Sequence, residues 1–182
     1  MSWKKIKSEY LIKSKWLNVR KDTVKISDEL TVDDYYVTEN SDVVIIFPVI
    51  EKEYVMLKKE YRYPIDKITM ELPGGTFDGS KEDASTAAKR ELLEEIGYSS
   101  DSWVSFGEFY DYPTKDTHKM YFFLAEGCIQ TAEPEKNPQE EIELVRVPIG
   151  ELEDYIKANL IQVTGSITCI YRAMLHLSKK GF

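Results

Sequence analysis

The sequence predicts an α+β fold in which helices flank a largely antiparallel sheet. Three observations predict it. Strand-like runs rich in β-branched and aromatic residues recur along the chain, the most apolar being DVVIIFPVI at 42–50. One strongly patterned helical segment at about 81–96 interrupts them and stops at Gly97. Two further helical stretches close the chain, at about 149–158 and 165–179.

Strands dominate the first third. WLNVRKDTVKI (16–26) and DDYYVTE (33–39) show partial alternation, as hairpin partners with one wet face do. The 42–50 run is nearly continuous, which predicts a strand buried on both faces. EYVMLKKEYRY (53–63) follows a short polar turn, and KITMELP (67–73) leads into the loop GGTFDGS. In the helix that follows, Ser80 and Asp83 have capping-box spacing and Gly97 sits where a C′ glycine belongs. WVSFGEFYD (103–111), HKMYFFLAE (118–126) and IELVRVP (142–148) read as further strands, and QTAEPEKNPQEE (130–141) as a polar loop.

The chain has 182 residues and a net charge of −8. Its length suits one domain, or one domain with an appendage. No block of lysine or arginine stands out, which argues against a nucleic-acid or anionic-membrane surface. A small anionic substrate remains compatible if metal ions or local arginines offset the acidic field. Cys128 and Cys169 have no ligand-like spacing and read as buried thiols in a reducing compartment. There is no apolar signal core and no run of 18 apolar residues, so a cytoplasmic protein is expected.

RELLEEIGY (90–98) raises the functional question. At about 100° per residue, Ala84, Ala88, Leu92 and Ile96 form one apolar stripe. Glu95 falls inside that stripe, Glu91 beside it, and Glu94 farther round the same flank. A solvated face with Arg90 paired to Glu94 explains Glu94 but leaves Glu91 and Glu95 unneutralised near apolar surface. Desolvated carboxylates need partners or must protonate. A Mg²⁺ or Mn²⁺ ion would supply that charge, since these hard cations prefer oxygen ligands. The preceding LPGGTFDG strengthens the metal reading, because glycines allow close backbone approach and phosphate oxygens favour helix N-termini.

GGTFDGSKEDASTAAKRELLEEIGY resembles the signature box of the Nudix hydrolases, which cleave nucleoside diphosphates linked to another group with divalent metals. Seven residues separate Glu82 from Arg90, and Glu91, Leu92, Glu94, Glu95 and Gly97 fall in place. Tyr98 replaces a final aliphatic residue, and six residues rather than five separate Gly75 from Glu82. LKKEYRYPIDKITMELPGG and EEIELVRVPIGEL are similar to segments of the ADP-ribose pyrophosphatase branch. The resemblance implies a mixed sheet between helices (an α/β/α sandwich), with residues 1–40 as a small N-terminal antiparallel sheet and 41–182 as the hydrolase domain. It also implies a homodimer built through the N-terminal sheet. YPTKDTHKMYFF carries Thr114 where that branch has glycine, and no glutamate precedes its strand. ADP-ribose is therefore one candidate among nucleoside diphosphate sugars.

On this resemblance Glu91, Glu94 and Glu95 are metal ligands, with the Gly74 carbonyl as a backbone ligand. Glu82 is a weaker ligand candidate, and Arg90 orients a neighbouring glutamate. Arg62, Gly75 and His118 are the substrate-contact candidates. Arg62 can hold two phosphate oxygens at once, whereas a surface salt bridge or a structural histidine is the plain alternative for Arg62 or His118. Glu140, with Glu141 behind it, is the candidate general base. Two other functions compete: a housecleaning hydrolase of modified nucleoside triphosphates, and a non-catalytic nucleotide sensor. The extended N-terminal strands argue against the first, and the intact glutamates against the second.

Overall fold

The computed structural model describes residues 2–135 and 141–179. The chain forms two compact units, Met1–Asp42 with Tyr110–Lys119, and Val43–Phe109 with Met120–Phe182.

The first unit is a three-stranded antiparallel sheet of β1 (Lys4–Lys13), β2 (Asn18–Lys25) and β3 (Thr31–Glu39), in that order. Sequence patterning foresees β2 and β3 but not β1, every residue of which is exposed. The segment 110–119 is fastened to β3: Thr38 N–H donates to the Lys115 carbonyl at 2.7 Å, and Thr117 N–H to the Thr38 carbonyl at 3.2 Å.

The second unit is built on β4 (Asp42–Ile50), β5 (Tyr54–Arg62), β6 (Lys67–Glu71), β7 (Gly74–Phe77), β8 (Tyr98–Ser99), β9 (Ser102–Phe109), β10 (Met120–Glu126), β11 (Ile129–Gln130) and β12 (Ile142–Pro148). Its helices are α1 (Ala84–Ile96), α2 (Leu152–Lys157) and α3 (Thr164–Ser178). The main sheet runs β12-β5-β4-β10-β9, with β6 on β5 and β7 on β4, while β8 and β11 form a separate pair. β4 and β10 are parallel, and β5 is antiparallel to β12, β4 and β6, so the sheet is mixed.

Period-two alternation sorts the side chains into two layers. Ile45, Phe47 and Val49 of β4 join Leu57, Phe122 and Leu124 and pack with Cys169, Ile170, Ala173 and Leu177 of α3. Val44, Ile46 and Ile50 join Met56, Phe123 and Ala125 and pack with Ala87, Ala88, Leu92 and Ile96 of α1. β4 is thus covered on both faces, as its continuous apolar run requires. Each large side chain buried here contributes about 1.5–3 kcal/mol relative to exposure.

Helix α1 starts later than the sequence suggests. Its N-cap is Asp83, whose carboxylate accepts from Thr86 N–H at 2.8 Å. Ser80 is drawn away because its hydroxyl donates to Asp78 Oδ1 at 2.7 Å within the exposed segment 78–81. That segment connects β7 to α1. Gly97 ends the helix at φ 74°, and an added Cβ would stand 2.2 Å from the Ala132 carbonyl oxygen. The GGTF stretch, read as loop from its glycines, is strand β7 paired to β4.

Candidate active site

The alternation that places Met56 of β5 toward α1 places Lys58, Glu60 and Arg62 on the same face. Across β6, Lys58 stands opposite Glu71 and Glu60 opposite Thr69. These side chains form one connected polar network with α1. Lys58, only 2% exposed, donates to Glu95 Oε1 and lies 3.0 Å from Glu60 Oε2. Arg62 Nη1 donates to Glu60 Oε1 at 2.6 Å, and its Nε to Glu71 Oε1 at 2.9 Å. Thr69 Oγ1 donates to that same Glu71 oxygen at 2.6 Å.

On α1, Arg90 binds three carboxylates. It reaches Glu82 at 2.8 Å, Glu91 at 2.8 Å and, one turn on, Glu94 at 2.9 Å. The glycines close the site from β7. Gly74 N–H donates to Glu95 Oε2 at 2.7 Å, and the Glu91 carboxylate lies where a Cβ on Gly75 would be. An added Cβ on Gly74 would come within 2.1 Å of the Val44 carbonyl oxygen. Gly74 is therefore held to glycine by backbone, whereas at Gly75 only the movable Glu91 carboxylate stands in the way.

Burial is the leading influence on these carboxylates. It raises Glu95 to about 7 against the opposing pull of the Lys58 ammonium and the Gly74 N–H. It also raises Glu91, which Arg90 only partly offsets. Glu71 is lowered instead, since the hydrogen bonds from Arg62 and Thr69 outweigh its burial. Burial alone would lower Lys58, but Glu95 and Glu60 raise it, so the ammonium stays charged.

The sequence comparisons agree with this geometry. The NUDIX domain model matches residues 39–164, which includes β4 to β12 and the whole network. The chain belongs to the Nudix family. The model of the nucleoside diphosphate sugar hydrolase N-terminal domain matches residues 3–38. The chain is similar to an uncharacterised Nudix hydrolase of Schizosaccharomyces pombe, with 32% identity over 77% of this chain and 62% of that protein. It is also similar to the ADP-ribose pyrophosphatase of Bacillus subtilis, with 29% identity over 66% of this chain and 64% of that protein. The chain thus matches less than two thirds of the length of either relative. A crystal structure described as an ADP compounds hydrolase has the same fold, with a TM-score of 0.88 over 100% of this chain and 97% of that one, at 19% identity. The architecture is the Nudix fold with a small N-terminal antiparallel sheet.

Nudix hydrolases generally need a divalent metal, and the chemistry of this donor set fits one. Among the described residues, the six carboxylates of Glu60, Glu71, Glu82, Glu91, Glu94 and Glu95 pair with three cations, Lys58, Arg62 and Arg90, so carboxylates outnumber cations. The donors are oxygens, which hard divalent cations prefer. Among the described residues, no three acidic, histidine or cysteine side chains gather into a ready-made ligand set. Lys58 and Arg90 hold the glutamates instead.

Of the residues singled out in the sequence, Gly74, Gly75, Glu91, Glu94, Glu95 and Arg62 come together here. The Arg62 guanidinium is engaged by Glu60 and Glu71, the ion-pair alternative considered for it. His118 belongs to the first unit, where its Nδ1 lies 2.8 Å from Asp116 Oδ1. Glu141 is exposed just ahead of β12, and Glu140 lies outside the described residues. Sequence reasoning gave Arg90 to Glu94 and sought the charge for Glu91 and Glu95 in a metal. Part of that charge is in the chain: Arg90 also reaches Glu91, and the unforeseen Lys58 holds Glu95. The usable signal was parity: Lys58 and Glu60 sit two and four residues beyond Met56 on one strand.

Proposed function

We propose that the chain hydrolyses the pyrophosphate bond of a nucleoside diphosphate sugar such as ADP-ribose, giving a nucleoside monophosphate and a sugar phosphate. The observation that carries this reading is the carboxylate-rich network that joins α1, the glycines of β7 and Arg62. The family match, the match of residues 3–38 and the similarity to an ADP-ribose pyrophosphatase support the substrate class.

In this reading Glu91, Glu94 and Glu95, with the Gly74 carbonyl, hold Mg²⁺ or Mn²⁺. The ion's chemistry is to neutralise phosphate oxygens and make a bound water nucleophilic. Arg90 keeps Glu91 and Glu94 oriented while they serve as ligands. Arg62 exchanges Glu60 and Glu71 for phosphate oxygens, a trade its planar guanidinium suits. Gly75 lets the diphosphate approach the backbone, and His118 contacts the sugar or nucleotide. Glu140, with Glu141 in reserve, takes the proton from the attacking water.

Residues 1–40 are the dimerisation element and 41–182 the hydrolase domain of a homodimer. The apolar side chains exposed on β1, among them Ile6, Leu11 and Ile12, support that role. A cytoplasmic location fits two free, buried cysteines. No described helix is long and apolar enough to cross a membrane. Chromatography of products from a panel of sugar nucleotides, dinucleotides and nucleoside triphosphates tests the reading. Release of a nucleoside monophosphate plus a sugar phosphate supports it, and turnover confined to triphosphates overturns it.

A further inference from the structure

Lys58 has no role in the proposed chemistry, yet it is the most thoroughly buried charged side chain of the network. A lysine at 2% exposure is held only by its partners, and here it has two. Its Nζ donates to Glu95 Oε1 and lies 3.0 Å from Glu60 Oε2. The other Glu95 oxygen is taken by Gly74 N–H at 2.7 Å. The carboxylate is therefore clamped between the ammonium and the Gly74 N–H, and aimed before any ion arrives.

The geometry points to Lys58 as a built-in counter-cation of the metal site, a positioning residue that seats Glu95 and gives it up to a divalent cation while keeping Glu60. This rests on the reading of Glu95 as a metal ligand. Two features make the exchange feasible. Glu60 is a second carboxylate already in contact, so the ammonium need not become a buried unpaired charge when Glu95 turns away. A divalent ion on Glu95 would also stand a few ångströms from the ammonium, and like charges that close repel strongly in a poorly solvated site. The lysine thus competes with the ion and sets how tightly the site loads. The same shift draws Glu60 toward Lys58 and loosens its hold on Arg62, which links loading to the arginine assigned to phosphate.

Calorimetric titration of Mn²⁺ alone, without nucleotide, into wild type, Lys58→Met, Lys58→Arg and Glu60→Gln tests this, with circular dichroism to confirm folding. Lys58→Met should bind Mn²⁺ about tenfold tighter, on the scale of one nearby unit charge. Lys58→Arg, which keeps the charge, should stay near the wild-type Kd. Glu60→Gln removes the second seat, leaves the lysine on Glu95 and should weaken binding about fivefold. Unchanged or weaker binding by a folded Lys58→Met protein overturns the inference. If Lys58→Met does not fold, Glu60→Gln decides alone: weaker binding supports the exchange, and unchanged or tighter binding overturns it. A wild-type protein that binds no Mn²⁺ overturns the metal reading of Glu95 together with this inference.

Discussion

The carboxylate of Glu91 occupies the place where Gly75 would carry a side chain: a Cβ built there lies 2.5 Å from the Glu91 carboxyl carbon and both its oxygens. The neighbouring glycine is confined differently, by backbone, with Val44 O at 2.1 Å from its Cβ position. A carboxylate can swing aside and a β-strand carbonyl cannot. Gly75→Ala should therefore fold with a Tm within a few degrees of wild type but lose at least about tenfold in kcat, as Glu91 is pushed off its aim. Gly74→Ala should lose stability instead, with Tm lowered on the order of 5–10 °C. Thermal unfolding and steady-state kinetics on the two variants separate these outcomes, and a matched pair of effects would contradict the assignment.

Much of this arrangement is legible in the sequence because it is local. Helical periodicity places Glu95 inside the Ala84–Ile96 stripe and Gly97 at its end, and the 42–50 run declares a strand buried on both faces. Lys58 is not legible in that way. Its burial depends on β6 and β12 pairing on either side of β5, which puts Glu71 and Leu144 opposite it, and on α1 covering that face. Those are contacts distant in sequence, and a lysine beside Lys59 and Glu60 reads locally as a wet strand end. The helix start differs because Ser80 and Asp83 both offer cap chemistry, and only the folded turn shows that Ser80 serves Asp78 while Asp83 caps the helix. β1 escaped because a strand with no buried face has no pattern to read.

Arg62 carries a prediction about binding rather than chemistry. Its Nε and Nη1 already address two carboxylates, at 2.9 and 2.6 Å, in the forked geometry that would grip two phosphate oxygens. Lysine keeps the charge but not the fork. Arg62→Lys should raise KM for a sugar nucleotide about tenfold, the effect of roughly 1.4 kcal/mol, with a smaller change in kcat. A fall in kcat at constant KM would place Arg62 elsewhere in the mechanism.

The first unit has its own acid sensitivity, centred on Asp116. Burial by itself would raise this carboxyl. The His118 backbone N–H at 2.9 Å, the His118 imidazole and the Thr38 hydroxyl at 2.8 Å outweigh it, and the pKa lies below the ordinary 3.8. A depressed folded-state pKa contributes stability that is fully present above the unfolded value and is lost as pH falls through the folded one. The junction of 110–119 with β3 should therefore loosen as pH drops below about 4. Asp116→Asn should flatten that acid limb while lowering stability at neutral pH. Trp3, packed edge-on against Tyr35 at 5.8 Å, supplies a near-ultraviolet dichroism signal to follow it. An acid limb of the same steepness in Asp116→Asn would assign the sensitivity to other carboxylates.

In the proposed function the glutamates of α1 serve metal-dependent cleavage of a sugar nucleotide. The most direct test is the rate of ADP-ribose hydrolysis against Mg²⁺ and Mn²⁺ concentration for wild type, Glu95→Gln and Glu91→Gln. Wild type should turn over, with chelation abolishing the activity and added metal restoring it. Glu95→Gln should lose at least about a thousandfold in kcat, on the scale of removing a principal transition-state stabiliser. Metal-independent turnover, or a Glu95→Gln protein as active as wild type, would overturn the metal role of these glutamates.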